Sequence, residues 1–298
     1  MMKIHIPQFI ASALAIALLS SCGSNPEKET KTIDTVAVSQ NAEMLDAVDE
    51  LISKLPKPSD IPNLIAMTGA EYEAKLLNPL ENAEKVLDNS SKAAFNIGVF
   101  GSDVGYLAAY EKGQEAIKMF AVSKKLGEKI GVSNAFDPSI LSRIEKNLGK
   151  RDSLISITDA SLAHSASILQ SNEQMKNASL LMAGAFIEGL YLNCGLIHDY
   201  PPTGLPKIEQ DKILVPLVNT VIKQEAALNS LIELLKKVND NDELVSKLIG
   251  QLEVAQAIYK KADWPKKIAE NKGDMIPTEK DIHDMANSIS EIRNSWIK

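Results

Sequence analysis

"LLMAGAFIEGLYLNCGLI", residues 180–197, is apolar on almost every side of a helical wheel. Two readings compete for it. A membrane-spanning helix needs about 20 predominantly apolar residues, and this stretch approaches that length. Against a span stand Glu188 and Asn193 within it and three interrupting glycines, Gly184, Gly189 and Gly195. A helix that is apolar all round is otherwise a buried core helix. The rest of the chain is largely amphipathic and needs something to pack around. The stretch is therefore read as the centre of an all-α fold, a multi-helix antiparallel bundle or helical array around a buried central helix running from about Asn172 to Ile197.

Working outward, three- and four-residue spacing recurs almost everywhere. Toward the C-terminus, Val218, Val221, Ile222, Leu228, Ile232 and Leu235 outline one long stripe. A partner helix starts at Asp240 or Asn241 and places Leu244, Leu248, Leu252, Ala255 and Tyr259 on one side. Thr278 and Asp281 resemble a capping arrangement ahead of Ile282, Met285, Ile289, Ile292 and Trp296, which mark a docked terminal helix. Toward the N-terminus, Asp137-Pro138 reads as N-cap and first helical position, and Asp152 as the cap of "SLISITDASLAHSASILQ". Gly98, Gly101 and Gly105 predict a turn followed by close helix contact, with Ser102 capping the next helix. They do not form a phosphate-binding loop, since "GxxxxGK[ST]" is missing and no strand precedes them. "NAEMLDAVDELISKL" is amphipathic, with Asn41 as N-cap, and Pro56, Pro58 and Pro62 end it. Strand-like alternation is nearly absent.

The first 23 residues follow another logic. Lys3 gives a positive start, and an apolar run from Phe9 to Leu19 is too short to span a bilayer. It ends on Leu19-Ser20-Ser21-Cys22, which resembles the lipobox of bacterial lipoproteins. The resemblance implies cleavage before Cys22 and attachment of acyl chains (diacylglycerol, with palmitate-class lipids) to its thiol and new amine. Several chains anchor firmly where one does not. Gly23 then resembles an outer-membrane address, and the acidic "SNPEKETK" loosely resembles the surface-display signals of Bacteroidota lipoproteins. "DTV" at Asp34–Val36 is similar to the O-glycosylation acceptor of the same group. The expected organisation is a signal peptide at 1–21, a polar tether at 22–40 and an all-helical domain at 41–298. Two subdomains dividing near 199–206 are the alternative. The expected location is the outer membrane of a diderm bacterium, facing the periplasm or the outside.

Composition narrows the functional classes. The chain has 39 acidic and 32 basic side chains, a net charge of −7. No basic stripe of the kind nucleic acid requires is present. Once Cys22 carries lipid, Cys194 is alone and no intrachain disulfide can form. "HExxH", "CxxC", "CxxCH" and a calcium-loop pattern are missing, so no cofactor or metal motif is read. Helical periplasmic lipoproteins of the imelysin type share the chain's general character, but their "GxHxxE" motif is missing.

One constellation has the residue types for chemistry. Glu188 lies in the most apolar helix, where an unpaired carboxylate is expensive. His164 shares a helical face with Ile157, Ser161 and Ile168, so an inward His164 is expected to be its partner. Acid-base catalysis or an incomplete metal site would use such a pair. A structural hydrogen bond or ion pair fixing helix register is the favoured reading. On that reading Glu188→Gln costs only about 1–2 kcal/mol. Two functions follow: a non-enzymatic membrane-anchored lipoprotein that binds an unidentified protein or small molecule, or a helical enzyme or metal-dependent binder centred on Glu188 and His164.

Overall fold

The computed structural model describes residues 43–136, 138–172, 174–199, 206–262 and 280–298. The expected signal peptide, Cys22, the expected tether, Asn41, Asp137, Thr278 and residues 200–205 lie outside these residues. Among the described residues every regular element is helical: twelve α-helices and two short 3-10 turns, with no strand. Residues Met44–Lys298 form one compact unit. The segment proposed to divide two subdomains lies mostly outside the described residues, and the helices on either side of it pack together.

The helices are α1 (43–53), α2 (Asp60–Met67), α3 (Asn82–Val86), α4 (Ser90–Ala109), α5 (Gly113–Ile130) and α6 (Pro138–Lys146). They continue with α7 (Arg151–Ser171), α8 (Met175–Asp199), α9 (Lys207–Ile222), α10 (Glu225–Val238), α11 (Glu243–Ala262) and α12 (Lys280–Trp296). The opening stretch forms α8, as expected. Residues 175–198 make the one described helix long and apolar enough to cross a membrane, and 89% of its apolar window is buried within the fold. Helix α8 packs on α2, α4, α7, α9, α10, α12 and the 3-10 turn Ala74–Leu76.

Its most extensive partner is α4, and here the sequence reading needs correction. Gly98, Gly101 and Gly105 mark no turn. They lie within one uninterrupted helix capped by Asn89, whose side chain accepts the Lys92 N–H at 2.9 Å. Ser102 sits in that helix's interior. The glycines serve close approach rather than backbone freedom. A Cβ on Gly98 would stand 1.9 Å from the Leu181 carbonyl oxygen, and one on Gly184 would stand 1.9 Å from the Phe95 carbonyl oxygen. The α4 and α8 backbones thus touch reciprocally. This contact buries Phe95, Phe100, Leu181 and Ile187 completely or nearly so.

Other boundaries shift for local reasons. Pro62 falls in the first turn of α2, where its missing N–H costs no intrahelical bond. The long stripe from Val218 to Leu235 is two helices, α9 and α10, separated at Lys223-Gln224. Asp242, rather than Asp240 or Asn241, caps α11 by accepting the Leu244 and Val245 N–H groups at 2.9 and 3.2 Å. In α12, Ile282, Met285, Ile289, Ile292 and Trp296 are all buried, as their spacing predicts. The helix lies against α8 and α11.

Candidate functional site

Helices α4, α8 and α12 bring three ionisable groups into the core: Asp103, Glu188 and Arg293. Glu188 is fully buried, and its partner is not His164. Arg293 donates from Nε to Glu188 Oε2 and from Nη2 to Oε1, both at 2.8 Å. This bidentate fork is the strongest side-chain geometry available to a carboxylate. The Tyr191 ring lies under the guanidinium, 4.1 Å from its central carbon, which adds cation–π attraction. Nη2 also approaches the Leu76 carbonyl at 3.3 Å. Burial opposes the charge on Arg293, but the Glu188 carboxylate outweighs it and holds the guanidinium pKa above its ordinary value.

Asp103 completes the centre from α4. Its Oδ2 accepts the Asn78 backbone N–H at 3.1 Å, whereas Oδ1 meets no donor. Burial, and then the neighbouring negative charge of Glu188, push its pKa well above the usual carboxylate range. A proton on Asp103 therefore satisfies two demands. It removes the second negative charge that one arginine cannot balance, and it lets the carboxyl donate to Glu188. Burial and Glu188 thus hold Asp103 toward its neutral form beside the Glu188–Arg293 pair.

An amide relay continues from this centre. Asn82 Nδ2 donates to Asn78 Oδ1 at 2.7 Å, and Asn78 Nδ2 reaches Asn96 Oδ1 at 3.5 Å. Asn96 Nδ2 donates to the Trp296 carbonyl at 2.9 Å. Trp296 stacks on Phe95 at a centroid distance of 4.7 Å. Together these contacts fasten the C-terminal helix to α4, α8 and the 76–82 segment. They match the role of a polar network that fixes one arrangement of helices.

His164 is exposed on α7, and the structure does not bring it to Glu188. Its face assignment failed because Ser161 and Ile157 lie toward one flank of the helix, while His164 lies at the edge turned to solvent. The Glu188→Gln expectation changes with the partner. Glutamine would leave a buried guanidinium without its anion, so a cost of about 3–5 kcal/mol replaces about 1–2. Cys194 is buried, and burial pushes its thiol up to about 12, so it behaves as a small hydrophobe. Asn193 donates to the Leu217 carbonyl at 3.0 Å and ties α8 to α9.

Two cavities lie apart from the Glu188–Arg293 pair. A cavity of about 230 Å³ borders Tyr191, Cys194, His198 and Asn287, but neither Glu188 nor Arg293 lines it. A groove of about 880 Å³ opens elsewhere, between α7 and the strip formed by α1, the following turn and α2. Its floor includes Ile52, Ile155, Leu162 and Met182, and its edges carry Asp49, Asp60, Asp152, Asp159 and Lys57. Gln170 bridges from α7 to Asp49 at 2.8 Å near one end, and Arg151 bridges to Asn63 near the other. Asp159 accepts from the Ser59 hydroxyl at 2.7 Å. Ser59 is itself buried, so this pair is not presented to the groove as a nucleophile and base. Burial raises the Asp159 carboxyl above its ordinary range. Among the described residues no three His, Cys, Asp or Glu side chains converge in a metal-binding group.

The site therefore has two parts, a sealed charge centre inside an all-α protein and an open acidic groove on its side. Comparison with protein families, with curated proteins and with solved structures finds no match to the chain.

Proposed function

We propose that the chain is a cell-envelope lipoprotein held in the outer membrane through acylated Cys22, and that its helical domain binds a ligand or partner without catalysing a reaction. The leader and the Leu19-Cys22 resemblance support the anchor. One observation supports the binding role: the Glu188–Arg293 pair is buried and closed on itself, while an open groove of about 880 Å³ lies elsewhere. Catalysis by Glu188 requires space for substrate or water beside the carboxylate. That space is filled by Arg293, and His164 stands on another surface. The groove has the volume of a small-molecule site, on the order of 300–1,000 Å³.

Purification of the protein from its own envelope tests both halves. Mass spectrometry should find a mature N-terminus at acylated Cys22, and Cys22→Ala should leave the membrane fraction or remain unprocessed. Native mass spectrometry should reveal a noncovalent companion released on unfolding. A stoichiometric metal lost from folded His164→Ala protein would contradict the binding reading and favour a metal-dependent enzyme or binder.

A further inference from the structure

The groove along α7 has a chemical pattern that narrows the class of its occupant. Residues Asp152 to Gln170 of α7 line it over 18 positions, about 27 Å at the helical rise per residue. It is long rather than round. Its floor is apolar, through Ile155, Leu162, Ala163 and Met182. The charges stand at intervals along this floor. Asp152 and Asp159 are two turns apart on α7, roughly 10 Å, while Asp49 and Asp60 face them from α1 and α2. Four carboxylates outnumber the single cation, Lys57, among the lining residues. Arg151, at one end, is turned to the Asn63 side-chain oxygen.

An occupant that complements this surface carries positive charges separated by apolar segments in an extended chain. An anion meets repulsion at both walls. A compact cation uses one carboxylate and leaves the floor wet. A purely apolar chain supplies no counter-charge to the four acids, of which Asp49, Asp60 and Asp159 already accept neutral donors from Gln170, the Lys57 N–H and Ser59. Charge complementarity and the intervening apolar floor together select the spacing of ammonium groups and methylenes found in linear aliphatic polyamines.

We infer that the α1–α2–α7 groove binds a linear aliphatic polyamine, with its ammonium groups at Asp49, Asp60 and Asp152 and its methylene runs over Ile155, Leu162 and Ala163. This rests on the reading of the protein as a binding lipoprotein and names the ligand class for it. Asp159, the most enclosed of the four acids, already accepts from the Ser59 N–H and hydroxyl and takes no ammonium group of its own. Lys57 lines the same groove, and its charge acts on Asp159.

Titration calorimetry of the full lipidated protein in nonionic detergent, with spermidine as the probe, tests the assignment. One spermidine per chain is expected. Affinity should fall at least tenfold in D49N/D152N and also in Ala163→Trp, which fills the floor without altering charge. Glu128→Gln, on α5 outside the groove, should leave it unchanged. Circular dichroism confirms that each variant is folded. Equal affinity in parent and both groove variants would overturn the assignment, because the binding would then be diffuse surface attraction. Tighter binding of a short lysine-arginine peptide than of spermidine would also overturn it. If spermidine does not bind but another small molecule is released on unfolding, the polyamine assignment falls and the binding reading stands. If neither occurs, both fall.

Discussion

The α4–α8–α12 centre and the α1–α2–α7 groove both gather carboxylates on helices, yet they solve opposite problems. In the centre, Glu188 has a bidentate arginine, burial and Glu188 push the Asp103 pKa up, and the surrounding helices approach to backbone contact. In the groove, Asp49, Asp60 and Asp152 are exposed, and one lysine stands among four acids. The difference teaches that an isolated charge in an apolar helix is not by itself a functional signal. Its meaning depends on whether the fold supplies the counter-charge. In the centre Arg293 meets the charge of Glu188, whereas in the groove one lysine stands among four acids.

The contrast breaks most sharply at Arg293. Arg293→Met should destabilise the protein by about 3–5 kcal/mol, because Glu188 is left buried without its cation. Urea unfolding measures this, and a loss below about 1 kcal/mol would mean that water or another donor reaches Glu188. The helix contact comes next. Gly184→Ala places a methyl group against the Phe95 carbonyl, and α4 and α8 must separate to hold it. A loss of about 1–3 kcal/mol or more is expected. An unchanged unfolding midpoint would show that the helices are not in backbone contact.

Asp103 sharpens the comparison through pH. Its folded pKa lies well above the unfolded value of about 3.9. Between those values the folded state binds more protons than the unfolded state, so this group's contribution to stability falls as pH rises. Asp103→Asn removes the titration. Its stability should therefore decline less than the parent's between pH 5 and pH 8, measured by urea midpoints at both values. An identical pH dependence would place the Asp103 titration outside the centre. The smallest effect belongs to His164. His164→Ala should change stability by no more than about 0.5 kcal/mol, since the side chain is exposed. A loss of several kcal/mol would restore His164 to the core.

The helical class, the burial of α8 and the apolar face of α12 were legible because each rests on local periodicity that tertiary packing reinforces. At the glycines of α4 the close helix contact is borne out and the turn is not, because glycine carries both meanings and only the partner helix decides between them. No Gly or Pro marks the break at Lys223-Gln224, so the α9–α10 boundary left no local signal. Glu188 is legible as an oddity, but the shared face of His164 with Ile157 and Ser161 points to α7 for its partner, whereas Arg293 of α12 supplies it. Arg293 had its own signal: it sits between Ile289 and Trp296 on the buried stripe of α12, where a solvated arginine does not belong. Asp103 and Asn96 stand out in the same way within the apolar run of α4. The groove had no comparable signature. Its walls come from α1, α2, α7 and α8, and their juxtaposition is a property of the fold.

The central claim is that the Glu188–Arg293 pair is a self-contained structural link. A double-mutant cycle on Glu188→Leu and Arg293→Met tests it most directly. Each single variant should lose about 3–5 kcal/mol in urea unfolding, and the double variant should lose less than either alone, because neither charge is then left unpaired. Losses that simply add in the double variant would contradict the claim, since the two side chains would then act independently.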